Sequence, residues 1–172
     1  MRRPLSVLRG NRDPRRHDDR IGGFVAATET VFTTVPDAVV DARAAATLRR
    51  LHAGGLRCVL ACDTQRTESV RRRTLRAAGV EDCFDALVLS STVGVRKPHR
   101  LFCSAVVERA RCRAEEIVFV GDTPAKDAVG PHEYGMNAVL VTTGPRPDAL
   151  PSPVGVISHF TELPRYLEAL DG

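Results

Sequence analysis

The residues best suited to chemistry stand in three short stretches. Val118 to Gly130 reads VFVGDTPAKDAVG: an apolar run breaks at Gly121-Asp122, and a second acid, Asp127, follows five residues after the first. Lys97 stands in GVRKPHRLF, and Cys62-Asp63-Thr64 follows the apolar run Leu56–Ala61. A buried strand has no packing use for carboxylates at its exit, because an unpartnered buried charge is costly. Carboxylate oxygens are hard donors that suit Mg²⁺, which commonly shares them with a phosphate. A lysine is a point-charge partner for that phosphate, and helix N-termini at the same edge add anion affinity. Each residue also has a plainer use. Asp122 can cap the next helix, Asp127 can be an exposed helix acid and Lys97 a surface lysine. Asp63 or Thr64 can cap the helix after them, and Cys62 can fill a small buried space. The two readings separate on whether one fold brings these residues to one edge.

The elements between them suggest such a fold. Short apolar runs lie at Gly23–Ala27, Leu56–Ala61, Ala86–Leu89, Ile117–Val120 and Ala138–Val141, with a weaker one at Val154–Ile157. Most are continuous rather than alternating, the mark of strands buried on both faces. Helical spacing fills the gaps. Asp37 can cap a helix from Ala38 to about Ala53, ended by Gly54-Gly55. A second helix runs from about Arg66 to Ala78 and stops at Gly79. Pro98 suits a first helical position, followed by Leu101, Ala105, Val106 and Ala110. Thr161 can cap a last helix ending near Leu170. Strand and helix in alternation predict a three-layer α/β domain with a mainly parallel sheet. Ligands bind such sheets at the carboxyl ends of the strands. Cys62-Asp63-Thr64, Ser90-Ser91-Thr92, Gly121-Asp122-Thr123 and Thr142-Thr143-Gly144 all follow strands and converge there.

Composition narrows the partners. The chain has 172 residues and a net charge of +4. Residues 1–20 hold seven arginines against three aspartates, so the excess lies in this segment and residues 21–172 are balanced. The segment is expected to be a basic, flexible arm, with the core domain at 21–172. Two lysines accompany 23 arginines, a bias that suggests a GC-rich bacterial genome. No aromatic residue interleaves the arm, so nucleic acid is a poor candidate partner. The five cysteines form no CxxC and stand apart from the histidines, which argues against zinc and fits reduced thiols in a cytoplasm. No apolar run is long enough to span a membrane, and no secretion signal is evident.

GVRKPHRLFCSAV, followed by IVFVGDTPAKDAVGPHEYGM, resembles the third and fourth motifs of the haloacid dehalogenase (HAD) superfamily. Upstream, PDAVVDARAAATLRRLHAGGLRCVLACDT is similar to the helix and second strand of that fold, and TESVRRRTLRAAGVEDCFDALVLSSTVGVRKP to its next stretch. The resemblance runs from about Val35 to Gly144, and its most specific part is the Lys-Pro pair with the GDxxxxD spacing. It implies a Rossmannoid HAD-like domain. It also implies that Lys97 holds a substrate phosphate and the nucleophile, and that Asp122 and Asp127 hold Mg²⁺. A Ser or Thr closing the second strand would bind the phosphoryl group; here Cys62 stands at that place, beside Asp63 and Thr64.

The departures matter as much. Family enzymes attack with the first Asp of a DxDx[TV] stretch ending the first strand, and the second Asp is the general acid and base. The best registration sets Ala26-Ala27-Thr28-Glu29-Thr30 there, so Ala26 replaces the nucleophile and Thr28 the acid/base. Only residues 31–37 separate this strand from the first helix, which leaves no room there for a cap domain. The expectation is a HAD-like protein with a partial Mg²⁺/phosphate site, catalytically impaired or repurposed. It would bind a phosphorylated small molecule, with a second copy or a protein partner also open. The alternatives are an active phosphatase in which Glu29 or Asp63 takes over a role, a non-catalytic interaction protein, and half of a split enzyme whose missing strand another polypeptide supplies. A structural use of the acids is open too, with Asp122 bonding loop amides and pairing with a buried Lys97.

Overall fold

The computed structural model describes residues 25–28 and 39–171, with side chains from 39 to 170. The basic segment, Asp37 and Glu29 lie outside the described residues. Six strands form one sheet: β1 (Val25–Thr28), β2 (Arg57–Cys62), β3 (Ala86–Leu89), β4 (Ile117–Gly121), β5 (Asn137–Val141) and β6 (Gly155–Ile157). Their order is β3-β2-β1-β4-β5-β6, and every neighbouring pair is parallel. The chain builds outward from β1 to β3, then crosses back to β4 on the other side of β1. In sheets of this order ligands bind at the carboxyl ends of the strands beside such a reversal, here β1 and β4.

The continuous apolar runs explain the layering. Successive strand side chains point to opposite faces. In β2, Cys58, Leu60 and Cys62 pack with α1 (Ala42–Ala53), α2 (Glu68–Ala77) and α6 (Leu163–Asp171), through residues such as Leu48, Leu75 and Leu167. Val59 and Ala61 face the other way, against Phe102, Cys103 and Val106 of α4 (Arg100–Ala110). Both sheet faces are therefore dry, and a strand of alternating polarity would not fit between them. Two single turns, α3 (Ser90–Val93) and α5 (Gly130–Tyr134), complete the helices. Among the described residues no insertion forms a sizeable cap, and no helix is long and apolar enough to cross a membrane.

Helix starts differ from the sequence expectation. The first helix begins at Ala42 and is capped by Asp41, whose carboxylate accepts the Ala44 amide at 2.8 Å. Aspartates at 37 and 41 carry the same capping chemistry, and Asp41 is the one placed at the start of the described helix. Pro98 is not a first helical residue. It follows a cis peptide bond, and His99 caps α4 by accepting the Leu101 amide at 3.2 Å. His159, not Thr161, accepts the Thr161 amide that opens the final helical segment. Histidine ring nitrogens act here as cap acceptors, a use that lists of Ser, Thr, Asp and Asn do not anticipate.

Candidate functional site

Three loops at the carboxyl edge carry the candidate residues. The loop after β2 brings Cys62, Asp63 and Thr64. The segment before α4 brings Lys97. The loop after β4 brings Asp122, then a π-helical turn over Pro124–Val129 that contains Lys126 and Asp127. Single π-turns often mark functional sites, because the wider turn re-aims side chains. Here the turn points Asp127 inward. Two glycines let the loops close. A Cβ on Gly121 would overlap the Asp127 side chain, and one on Gly130 would overlap the Pro98 ring. The β4 loop thus folds back onto its own strand and against the lysine segment.

The result is a buried ion pair. Lys97 Nζ donates to Asp127 Oδ1 at 2.6 Å, and both side chains are 1% exposed. The other Asp127 oxygen accepts the Thr123 amide at 3.0 Å. The Lys97 ammonium also lies 5.7 Å from the centre of the Phe119 ring, a cation–π distance. Lys97 is therefore not a surface lysine, nor Asp127 an exposed helix acid. The structural role expected of Asp122, bonding the loop amide and pairing with Lys97, belongs to Asp127. Asp122 instead stands exposed at the strand exit, its Oδ1 accepting the Thr123 hydroxyl at 3.3 Å.

Asp63 ties the β2 loop to this pair. Its Oδ1 accepts the Lys97 backbone amide at 3.0 Å, and its Oδ2 lies 3.1 Å from Lys126 Nζ. Thr64 is buried. Its hydroxyl oxygen accepts the Arg66 amide at 3.0 Å and the Arg71 guanidinium at 3.3 Å, and its backbone exchanges two bonds with the Ser90 hydroxyl. Cys62 is buried within β2. Burial also pushes other thiols upward, that of Cys112 to about 11. Lys126 is the site residue that the sequence reading missed. The signal was available: the chain's only two lysines, 97 and 126, both fall in these loops.

The sheet register changes the view of β1. Ala26 pairs with Cys58 and Val118, and Thr28 with Leu60 and Val120. Ala26 is thus level with the second residue of β4, four residues before Asp122, rather than with its exit. The strand itself, Val25-Ala26-Ala27-Thr28, contributes no carboxylate. It also stands between β2 and β4, the place that the split-enzyme reading leaves for a strand from another polypeptide.

For a divalent cation, the donors fit in type. Asp122 offers hard carboxylate oxygen, and Asp127 lies behind it with both oxygens bonded. Among the described residues no three acids, histidines or cysteines converge in a metal-binding group. Mg²⁺ tolerates this, since it keeps several waters and uses one or two carboxylates plus phosphate oxygen.

Parallel order and the crossover at β1 define a Rossmannoid α/β domain, with the lysine segment and the acid-bearing β4 loop at its carboxyl edge. Residues 10–135 match the haloacid dehalogenase-like hydrolases, and the chain belongs to that family. It is 30% identical to phosphoglycolate phosphatase of Cereibacter sphaeroides over 99% of this chain and 76% of that protein. It is 37% identical to phosphoserine phosphatase of Thermus thermophilus over 52% of this chain but 36% of that one. Among solved structures, a HAD phosphatase from Thermococcus onnurineus superposes with a TM-score of 0.61 at 26% identity, covering 77% of this chain and 57% of that one. An uncharacterised protein from Listeria monocytogenes gives 0.73 at 21% identity, covering 86% and 97%, a likeness of fold.

Proposed function

We propose that this chain binds a phosphomonoester at the carboxyl edge of the sheet, with Mg²⁺ at Asp122, and that its hydrolytic step is impaired. The observation that carries the binding half is the Lys97–Asp127 pair, an ammonium buried against a carboxylate of the same β4 loop that carries the exposed Asp122. Burying such a pair costs desolvation that a surface pair avoids. When bound, Mg²⁺ would neutralise phosphate charge and orient it. Asp122 would hold the ion, and Lys97 would supply positive charge toward the phosphoryl oxygens. Asp63 would fix the lysine segment through the Lys97 amide.

The impaired half rests on β1, which brings no acid to the sheet. Loss of a covalent nucleophile removes several orders of magnitude in rate. Asp63 is a poor replacement, since both its oxygens are bonded. Glu29, next in the chain after Thr28, is the remaining acid of that stretch. The test is Mg²⁺-dependent phosphate release from a panel of phosphomonoesters, with Asp122→Asn and Glu29→Gln as controls. The proposal expects release near the Asp122→Asn background. Turnover at ordinary enzyme rates, abolished by Glu29→Gln, would replace impairment with a rerouted nucleophile.

A further inference from the structure

The geometry points to Lys126 as a second anion contact that selects phosphomonoesters carrying a further negative group, such as a carboxylate. This inference rests on the phosphate site proposed above. Among the described residues no insertion forms a sizeable cap, and the candidates for selection are charged groups of the core loops. Lys126 and Lys97 are the chain's two lysines, and they are held in contrasting ways. Lys97 is sealed against Asp127, whereas the Lys126 side chain is 42% exposed and rests on Asp63, itself 11% exposed.

Position matters more than exposure. Asp63 follows β2 and Lys126 follows β4, and these strands flank β1 on its two sides. The bridge between them therefore reaches from the β2 side of β1 to its β4 side, and Asp63 within it also accepts the Lys97 backbone amide. A phosphoryl group drawn toward Lys97 would leave the rest of its molecule at this bridge. The Lys126 ammonium has three donors and a flexible stem, so it can turn from Asp63 to a substrate anion without breaking the buried pair. An arginine-rich chain that places lysine here uses a compact charge rather than a planar fork. A neutral alcohol portion would gain nothing from it and would meet the Asp63 carboxylate instead.

The test uses two inert ligands and calorimetry on the full chain with Mg²⁺. 3-Phosphonopropionate carries a carboxylate; propylphosphonate has a methyl group in its place. The wild-type protein should bind the first about fivefold tighter, the upper range for one half-exposed charge pair. Lys126→Met should abolish that preference, so that the two ligands bind the variant alike, and Lys126→Arg should keep most of it. Equal affinities in the wild type, or a preference that survives Lys126→Met, would overturn the role of Lys126 while leaving the phosphate site standing. Failure of both ligands to bind would remove the phosphate site, and this inference with it. Thermal unfolding of each variant separates lost contacts from lost fold.

Discussion

Asp127→Asn is a sharp probe of the buried pair. It keeps the side-chain shape and an oxygen for the Thr123 amide, and it removes the negative charge 2.6 Å from Lys97 Nζ. Both groups are 1% exposed, so water cannot replace the lost partner without opening the loop. Removing one member of such a pair costs about 3–5 kcal/mol. For a protein of this size that corresponds to about 6–20 °C in melting temperature. The total stability of a domain is itself only about 5–15 kcal/mol, so the variant should be marginal. The assay is urea unfolding followed by circular dichroism, on Asp127→Asn, Lys97→Met and the double variant. The double variant should lose less than the sum of the singles, because no lone charge remains in the pocket. A loss below about 1 kcal/mol for Asp127→Asn, or strict additivity, would refute the dry, coupled pair.

Other consequences follow from single positions. Gly121→Ala should displace Asp127 and lower both stability and phosphate affinity, read by unfolding and calorimetry; an unchanged protein would contradict the close loop packing. Arg111 ends α4 at φ 53°, a left-handed conformation that suits glycine. Arg111→Gly should therefore raise stability by about 1 kcal/mol, seen as a higher urea midpoint. Asp41→Ala should cost about 1 kcal/mol through the lost cap. The bond from Ala44 is the main cause that holds the Asp41 carboxyl below its usual value, so its contribution is present at neutral pH and fades as pH falls through the acidic range. Burial raises the Cys112 thiol to about 11, so the folded state resists its ionisation. Its contribution to stability is complete below the ordinary thiol value and declines as pH rises from there to about 11, which alkaline unfolding midpoints of Cys112→Ser against wild type would register.

Much of the architecture was legible because burial writes itself as composition. The runs Leu56–Ala61 and Ile117–Val120 fall within one residue of β2 and β4, and their unbroken apolar character corresponds to dryness on both faces. The family resemblance rested on the same strand exits, where Lys97 meets Asp127 and Asp122 stands exposed at the end of β4. Roles within the loop were not legible. Asp122 and Asp127 look alike in sequence, and only the π-turn decides that one is sealed against Lys97 and the other exposed. Register was equally hidden, since a strand reading VAAT has nothing to fix its level; pairing sets Ala26 beside Val118. Lys126 escaped because a lysine between two acids reads as a solvated charge until Asp63, 63 positions away, is seen beside it.

The proposed phosphate site stands or falls on anion binding at the carboxyl edge of the sheet, which calorimetric titration of inorganic phosphate, with and without Mg²⁺, measures. Saturable binding that Mg²⁺ strengthens is expected in the wild type, and Mg²⁺ should no longer strengthen it in Asp122→Asn. Absence of phosphate binding to the folded wild-type protein, or a Mg²⁺ effect that persists without the Asp122 carboxylate, would contradict the proposed site.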